Sequence, residues 1–294
     1  MSKQLQTWFM AIRPKTLAAA IAPVMLGTGM AGGDGLFHIP SAALCLAAAL
    51  FIQIGTNLAN DYFDYKKGAD TSERVGPTRV TQAGLVSPTA MVIAIILTFG
   101  LAIAAAVPLI FRGGQPLLII AVLSILSGIF YTAGPRPLGY LGLGELFVLI
   151  FFGPVAVAGT YYVQSHEINS AIILAGFGPG LLSAAILAVN NLRDIETDRK
   201  SNKMTLAARF GPGFARAEYL TFVVLAFLLP IAIFLMIQDH EGILFATIVM
   251  LLALPIIHRV YTSDGPKLNS ALGATGFVLL IYSFIFSLGW IFVL

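Results

Sequence analysis

The chain has 294 residues, 58% of them hydrophobic and only 11% charged, with a mean hydropathy of +0.89 and a net charge of +3. So few charges cannot cover a soluble domain of this size, which excludes a water-soluble enzyme and points to an all-α polytopic membrane protein. A single cysteine, Cys45, excludes an internal disulfide.

In chain order, the stretch from Met1 to Arg13 lacks a small-residue cleavage site, so the first apolar segment is expected to stay in place. Apolar runs then predict nine transmembrane helices, at about 16–33, 42–60, 89–111, 115–133, 141–163, 170–190, 217–237, 243–261 and 270–292. Gly and Pro punctuate the breaks, as in Gly32-Gly33-Asp34-Gly35, Gly113-Gly114-Gln115-Pro116 and Gly211-Pro212-Gly213. The whole of 1–294 reads as one transmembrane domain. Threaded through nine spans, the Lys and Arg residues fall on one side, Arg112 alone excepted. The positive-inside rule makes that side, with the N-terminus, cytoplasmic. The net charge is thereby a topology signal, and no nucleic acid need be invoked. The two long loops, 61–88 and 191–216, lie on the same side and are expected to carry the function.

Each of those loops opens on an acidic cluster. The second span ends in Asn57-Leu58-Ala59-Asn60-Asp61-Tyr62-Phe63-Asp64, and the sixth in Asn190-Asn191-Leu192-Arg193-Asp194-Ile195-Glu196-Thr197-Asp198. If the helices continue, Asn57, Asp61 and Asp64 share one face, and Asn190, Asp194 and Asp198 share another. Like charges at that spacing repel, and a helix C-terminus is already negative, so a hard cation such as Mg²⁺ would relieve the conflict. The lack of nearby His or Cys argues against zinc. One Asp here would read as a solvated loop residue. Two matched clusters at equal depth read as a site, whereas Asp70, Glu73 and Glu196 lack that placement. Lys66, Lys67, Arg74, Arg79, Lys203 and Arg209 could clamp a diphosphate, or could simply be the basic residues that such loops carry. Glu145 is taken as the single acid within a span, either orienting or deprotonating a substrate or packing by hydrogen bonds. The histidines are given no role.

Asn-Asp-x-x-Asp from Asn60 to Asp64, and Asp-x-x-x-Asp from Asp194 to Asp198, resemble the two signatures of the UbiA superfamily of intramembrane prenyltransferases. The nine-span count and the motif positions after spans two and six resemble that superfamily too. Gly68 departs from it where many members carry a further Asp. Arg13-Pro14-Lys15-Thr16-Leu17, Tyr131-Thr132-Ala133-Gly134-Pro135, Gly142-Leu143-Gly144-Glu145 and Asn191-Leu192-Arg193-Asp194 are similar to the branch that prenylates 1,4-dihydroxy-2-naphthoate in menaquinone biosynthesis.

The resemblance implies a UbiA-type bundle with cytoplasmic active-site loops, in a bacterial inner membrane. It implies a polyprenyl diphosphate donor, an aromatic acceptor and Mg²⁺ held by Asp61, Asp64, Asp194 and Asp198 with help from Asn57 and Asn190. Tyr62, Phe130, Tyr131 and Tyr140 are candidates to steady an allylic cation, or else belong to an interfacial aromatic belt. Membrane lipid is the expected surrounding, and no obligate protein partner is expected. Acceptors such as 4-hydroxybenzoate, or phytyl transfer, stay open. Ion-coupled transport is the reading of another class, disfavoured because the acids sit at helix ends and not at midplane.

Overall fold

The structure, a computed structural model, describes residues 2–69 and 76–292, all of them in helices, turns or irregular segments. A short helix α1 (Lys3–Ile12) meets α2 (Ala18–Gly33) at a 52° bend. Then follow α3 (Ile39–Lys66), α4 (Pro88–Phe130), α5 (Gly144–Ile150), which runs through a π turn into α6 (Ala156–Ser165), and α7 (Ser170–Arg193). The chain closes with α8 (Ile195–Lys200), α9 (Leu206–Ile237), α10 (Phe245–Ile248), α11 (Met250–Thr262) and α12 (Leu268–Ile291). Starts are written in the sequence: Ser87, Asn169 and Thr205 each accept a hydrogen bond from the backbone N–H three residues on, capping α4, α7 and α9.

Helix α4 is too long for one crossing. Its 43 residues would extend about 65 Å if straight, against a hydrocarbon layer of about 30 Å. It doubles back at Gly114, whose φ of 67° lies in the left-handed region that glycine tolerates. The proof is a contact: a Cβ on Gly128 would lie 3.8 Å from the Phe99 ring, although 29 residues of straight helix span about 43 Å.

By length and apolarity, seven helices among the described residues can cross a membrane, or eight if the bent α1–α2 pair counts as one span. The expected nine is not reached by that measure. Counting each arm of α4 as its own crossing supplies the ninth, and we carry that count as a proposal.

Helix α7 is central. Of its most apolar stretch 72% is buried, against 22% for α3 and 28% for α4 and α9, whose outer faces show Ile96, Leu97, Phe111 and Leu235. Small residues let α7 approach closely: a Cβ on Gly176 would sit 2.6 Å from the Pro154 Cα at the π turn between α5 and α6. The main core joins α2, α7, α9, α11 and α12 through Leu26, Leu182, Phe227, Ile256 and Phe286.

Candidate active site

Between α3, α4, α5–α6 and α7 lies a cavity of about 720 Å³. Its polar end is lined by Asn57, Asn60 and Asp64 from α3, Arg79 from the segment after it, Tyr131, Lys203, and Asn190, Asn191 and Arg193 from α7. The rest is apolar, with Val24, Ala48, Leu109, Leu117, Ile120, Phe147 and Phe151 in its walls. Both acidic segments therefore reach one space, the first through Asp64 and the second through Asn190, Asn191 and Arg193, with Asp194 and Asp198 outside the lining.

On α3 the unbroken helix sets who faces what. At 100° per residue, Asn57, Asn60 and Asp64 fall within one arc of about 60°, and Asp61 lies beyond it on the side of the next loop. Accordingly, both Asp61 oxygens accept backbone N–H groups, from Val80 and Thr81 at 3.0 Å each, and Asp61 does not line the cavity. Asp64 does. Its Oδ2 makes a deeply buried pair with Arg79 at 2.9 Å, and its Oδ1 accepts from the half-buried Tyr140 hydroxyl at 2.9 Å. Asn57 lines the cavity while its Nδ2 donates to Ile12 O and Thr16 Oγ1, fixing the α1–α2 bend against α3.

After α7 the helix is interrupted at Asp194, yet the i+4 bonds run on: Asp194 N donates to Asn190 O and Asp198 N to Asp194 O. Of the three residues expected to share a face, Asn190 lines the cavity while Asp194 and Asp198 do not, and Glu196 is turned outward, its side chain 83% exposed. Asp194 takes a two-pronged bond from its neighbour Arg193, at 2.8 and 2.6 Å. Arg193 also donates to Asn190 Oδ1 and Asn269 Oδ1. Asp198 pairs with Lys203 at 3.3 Å.

The repulsion expected within each cluster is thus met by protein cations, one for each of Asp64, Asp194 and Asp198, and not left for a metal alone to relieve. Burying such pairs costs desolvation on both sides, so they are poor stabilisers and better understood as a site.

The other expected residues divide. Lys203 lines the polar end. Lys67 instead donates to Thr132 O and Gly134 O, at 2.7 and 3.0 Å, and lies 4.8 Å over the Tyr140 ring. Lys66 is exposed and off the cavity, and Arg209 is bonded to Met204 O and Leu141 O. Tyr62 packs on Phe63 and Phe130 is exposed, neither in the cavity wall. Asp70, Glu73 and Arg74 lie outside the described residues. Glu145 is buried beside the site, bonded to Asn191.

Sequence reasoning passed over several residues: Arg13, Lys15, Asn60, Asn191, Arg193 and Asn269 all line the cavity. Asn60 and Asn191 adjoin the chosen Asp61 and Asn190, and a finer helical projection would have found them. Nor is Glu145 the single acid within a span as expected, since Glu218 falls inside the seventh expected span.

A helical membrane bundle with a cationic, carboxylate-bearing mouth on an apolar channel is built to hold an amphiphile by an anionic head. The chain belongs to the UbiA prenyltransferase family, whose profile matches residues 20–281. It is 35% identical to a 1,4-dihydroxy-2-naphthoate octaprenyltransferase of Haemophilus influenzae, over 98% of this chain and 96% of that one. It is 40% identical to the Escherichia coli protein of the same name, over 86% and 82%. Among solved structures, a UbiA homolog from Archaeoglobus fulgidus bound to GPP and Mg²⁺ shares the fold, with a TM-score of 0.67 at 18% identity over 96% of this chain and 99% of that one.

Proposed function

We propose that this integral membrane protein transfers a polyprenyl group from its diphosphate to 1,4-dihydroxy-2-naphthoate, with loss of the acceptor's carboxylate and release of diphosphate, in menaquinone biosynthesis. The observation that carries the reading is the single cavity with both acidic segments at one end and apolar walls along the rest. The names of the curated relatives support the acceptor.

The residues fit a hard divalent cation in one specific way. Asp64, Asp198, Asn60 and Asn190 offer oxygen donors only, as Mg²⁺ prefers. Among the described residues no group of three or more His, Cys, Asp or Glu side chains could hold a metal unaided. The cation would be held by carboxylates together with the donor's own phosphate oxygens, the common arrangement for Mg²⁺. Bound there, it would supply Lewis-acid neutralisation of the leaving diphosphate.

The chain's own part is distinct. Arg79, Arg193 and Lys203 lie among the carboxylates, so an arriving diphosphate meets cations already in place. The apolar walls take the prenyl tail and keep water from the allylic cation left when its C–O bond breaks. The Tyr131 ring lies in the wall at the polar end, where its face can steady that cation by roughly 0.5–2 kcal/mol.

By the distribution of basic residues, the polar end faces the cytoplasm of a bacterial inner membrane. Reporter fusions after Lys67 and Lys200 should read cytoplasmic and those at Asp34 and His166 external; the reverse for either of the first two overturns this orientation. The activity itself is tested by incubating purified protein with labelled polyprenyl diphosphates and either dihydroxynaphthoate or 4-hydroxybenzoate. A demethylmenaquinol mass with the first alone is expected, and a product with the second alone would replace this acceptor.

A further inference from the structure

Asn191 and Glu145 form a pair that donor binding does not use. Asn191 lines the polar end of the cavity and is 3% exposed; Glu145 lies behind it and is 4% exposed. Asn191 Nδ2 donates to Glu145 Oε1 at 2.6 Å, while the buried Glu145 Oε2 has no hydrogen-bond partner among the described residues. An ionised carboxylate only accepts, and Asn191 accordingly turns its Nδ2 to Glu145 Oε1. Its nitrogen is turned to Glu145, and its carbonyl oxygen, which accepts nothing from the described residues, is left for the cavity.

We propose that Asn191 reads a hydroxyl group of the aromatic acceptor, and that Glu145 is its positioning residue. The inference rests on the acceptor reading given above. A carbonyl oxygen backed by a carboxyl group repels phosphate oxygens, so the donor's head group belongs with Arg79, Arg193 and Lys203 and not here. An acceptor O–H is the complementary partner, and burial makes such a bond selective, because an analogue lacking the hydroxyl leaves the amide oxygen unsatisfied. Donation of that O–H to Oδ1 also leaves electron density on the ring that must attack the allylic cation. Tyr131 lines the same end of the cavity as Asn191, so an acceptor held by Asn191 would lie beside its ring.

The test compares binding of 1,4-dihydroxy-2-naphthoate with that of 1-hydroxy-2-naphthoate and 4-hydroxy-2-naphthoate, measured by competition in the transfer assay. The ratio does not depend on how much of each variant is folded. In the unsubstituted protein, loss of the recognised hydroxyl should weaken binding about 10- to 100-fold. In Asn191→Leu that preference should fall to within about threefold of unity with the donor KM little changed, a loss expected of one missing hydrogen bond. Glu145→Gln still offers an oxygen to Asn191 Nδ2 and should keep the preference, whereas Glu145→Leu should lose it. An Asn191→Leu protein that keeps the preference overturns the inference, as does a Glu145→Gln protein that loses it as fully as Glu145→Leu. If the unsubstituted protein prenylates no hydroxynaphthoate, the acceptor reading itself fails, and this inference with it.

Discussion

The acid-bearing ends of α3 and α7 face one cavity, but they are held in different ways. On α3 the helix runs straight through its acids, and their partners come from well further along: Arg79 and Tyr140 for Asp64, and the Val80 and Thr81 backbone for Asp61. After α7 the helix breaks at Asp194 and the partners are local, Arg193 adjoining Asp194 and Lys203 five residues after Asp198. The first segment thereby organises a long loop, and the second organises itself. Acids that look equivalent in sequence are held differently: both Asp61 oxygens accept backbone N–H groups, while Asp64, Asp194 and Asp198 each sit beside a cation.

That contrast can be broken by removing what both segments would share. EDTA should abolish transfer and Mg²⁺ restore it, with a zinc-selective chelator doing little. Activity that survives EDTA and thorough dialysis would end the role of the carboxylates as metal ligands. Next in size, Asp64→Asn, Asp194→Asn and Asp198→Asn should each lower transfer about 100- to 1000-fold, the scale set by losing a charge-stabilising contact at a leaving group. The amide keeps the side-chain volume, which matters because truncating one member of a buried ion pair strands its partner; a full rate in any of the three would remove that residue from the site.

Asp61→Ala should behave differently. It leaves the Val80 and Thr81 N–H groups without their acceptor, at about 1–3 kcal/mol each, so the melting temperature should fall well below that of Asp64→Asn. The folded fraction should keep more activity than Asp64→Asn does, and equal losses in rate would put Asp61 back among the ligands. Smallest of all, Glu196→Ala removes an exposed side chain paired only with Arg199 across one helical turn. Its rate should stay within about tenfold of the unsubstituted protein. A loss as deep as that of Asp194→Asn would mean that residues 194–198 do not hold their helical register.

Much of this was legible from the chain alone. Long apolar runs state a helical membrane protein outright, and periodicity grouped Asn57 with Asp64 and singled out Asn190, all three of which line the cavity. It failed where tertiary contacts decide. Asp61 sits 40° from Asn57 around α3, near enough to be grouped with it, and only the folded 79–81 segment reveals that its oxygens are spent. Lys67 looked like a phosphate clamp, but the carbonyls of Thr132 and Gly134, distant in sequence, claim its ammonium. Arg13 and Lys15 read as topology signals, and it is the α1–α2 bend, pinned by Asn57, that brings them to the cavity. The doubling-back of α4 was foretold by Gly113-Gly114-Gln115-Pro116, since glycine and proline at one point leave a helix little else to do.

The central claim is that the two segments serve one diphosphate head group, and a double-mutant cycle on Asp64 and Asp198 tests it most directly. Initial rates at saturating Mg²⁺ would be measured for Asp64→Asn, Asp198→Asn and the combined variant, each with a melting curve in detergent. If both residues act on one shared leaving group, the combined variant should be no more than about threefold slower than the worse single one, since groups that act as a unit are strongly non-additive. Losses that multiply across the two substitutions would mean that the segments act independently, and would contradict the account.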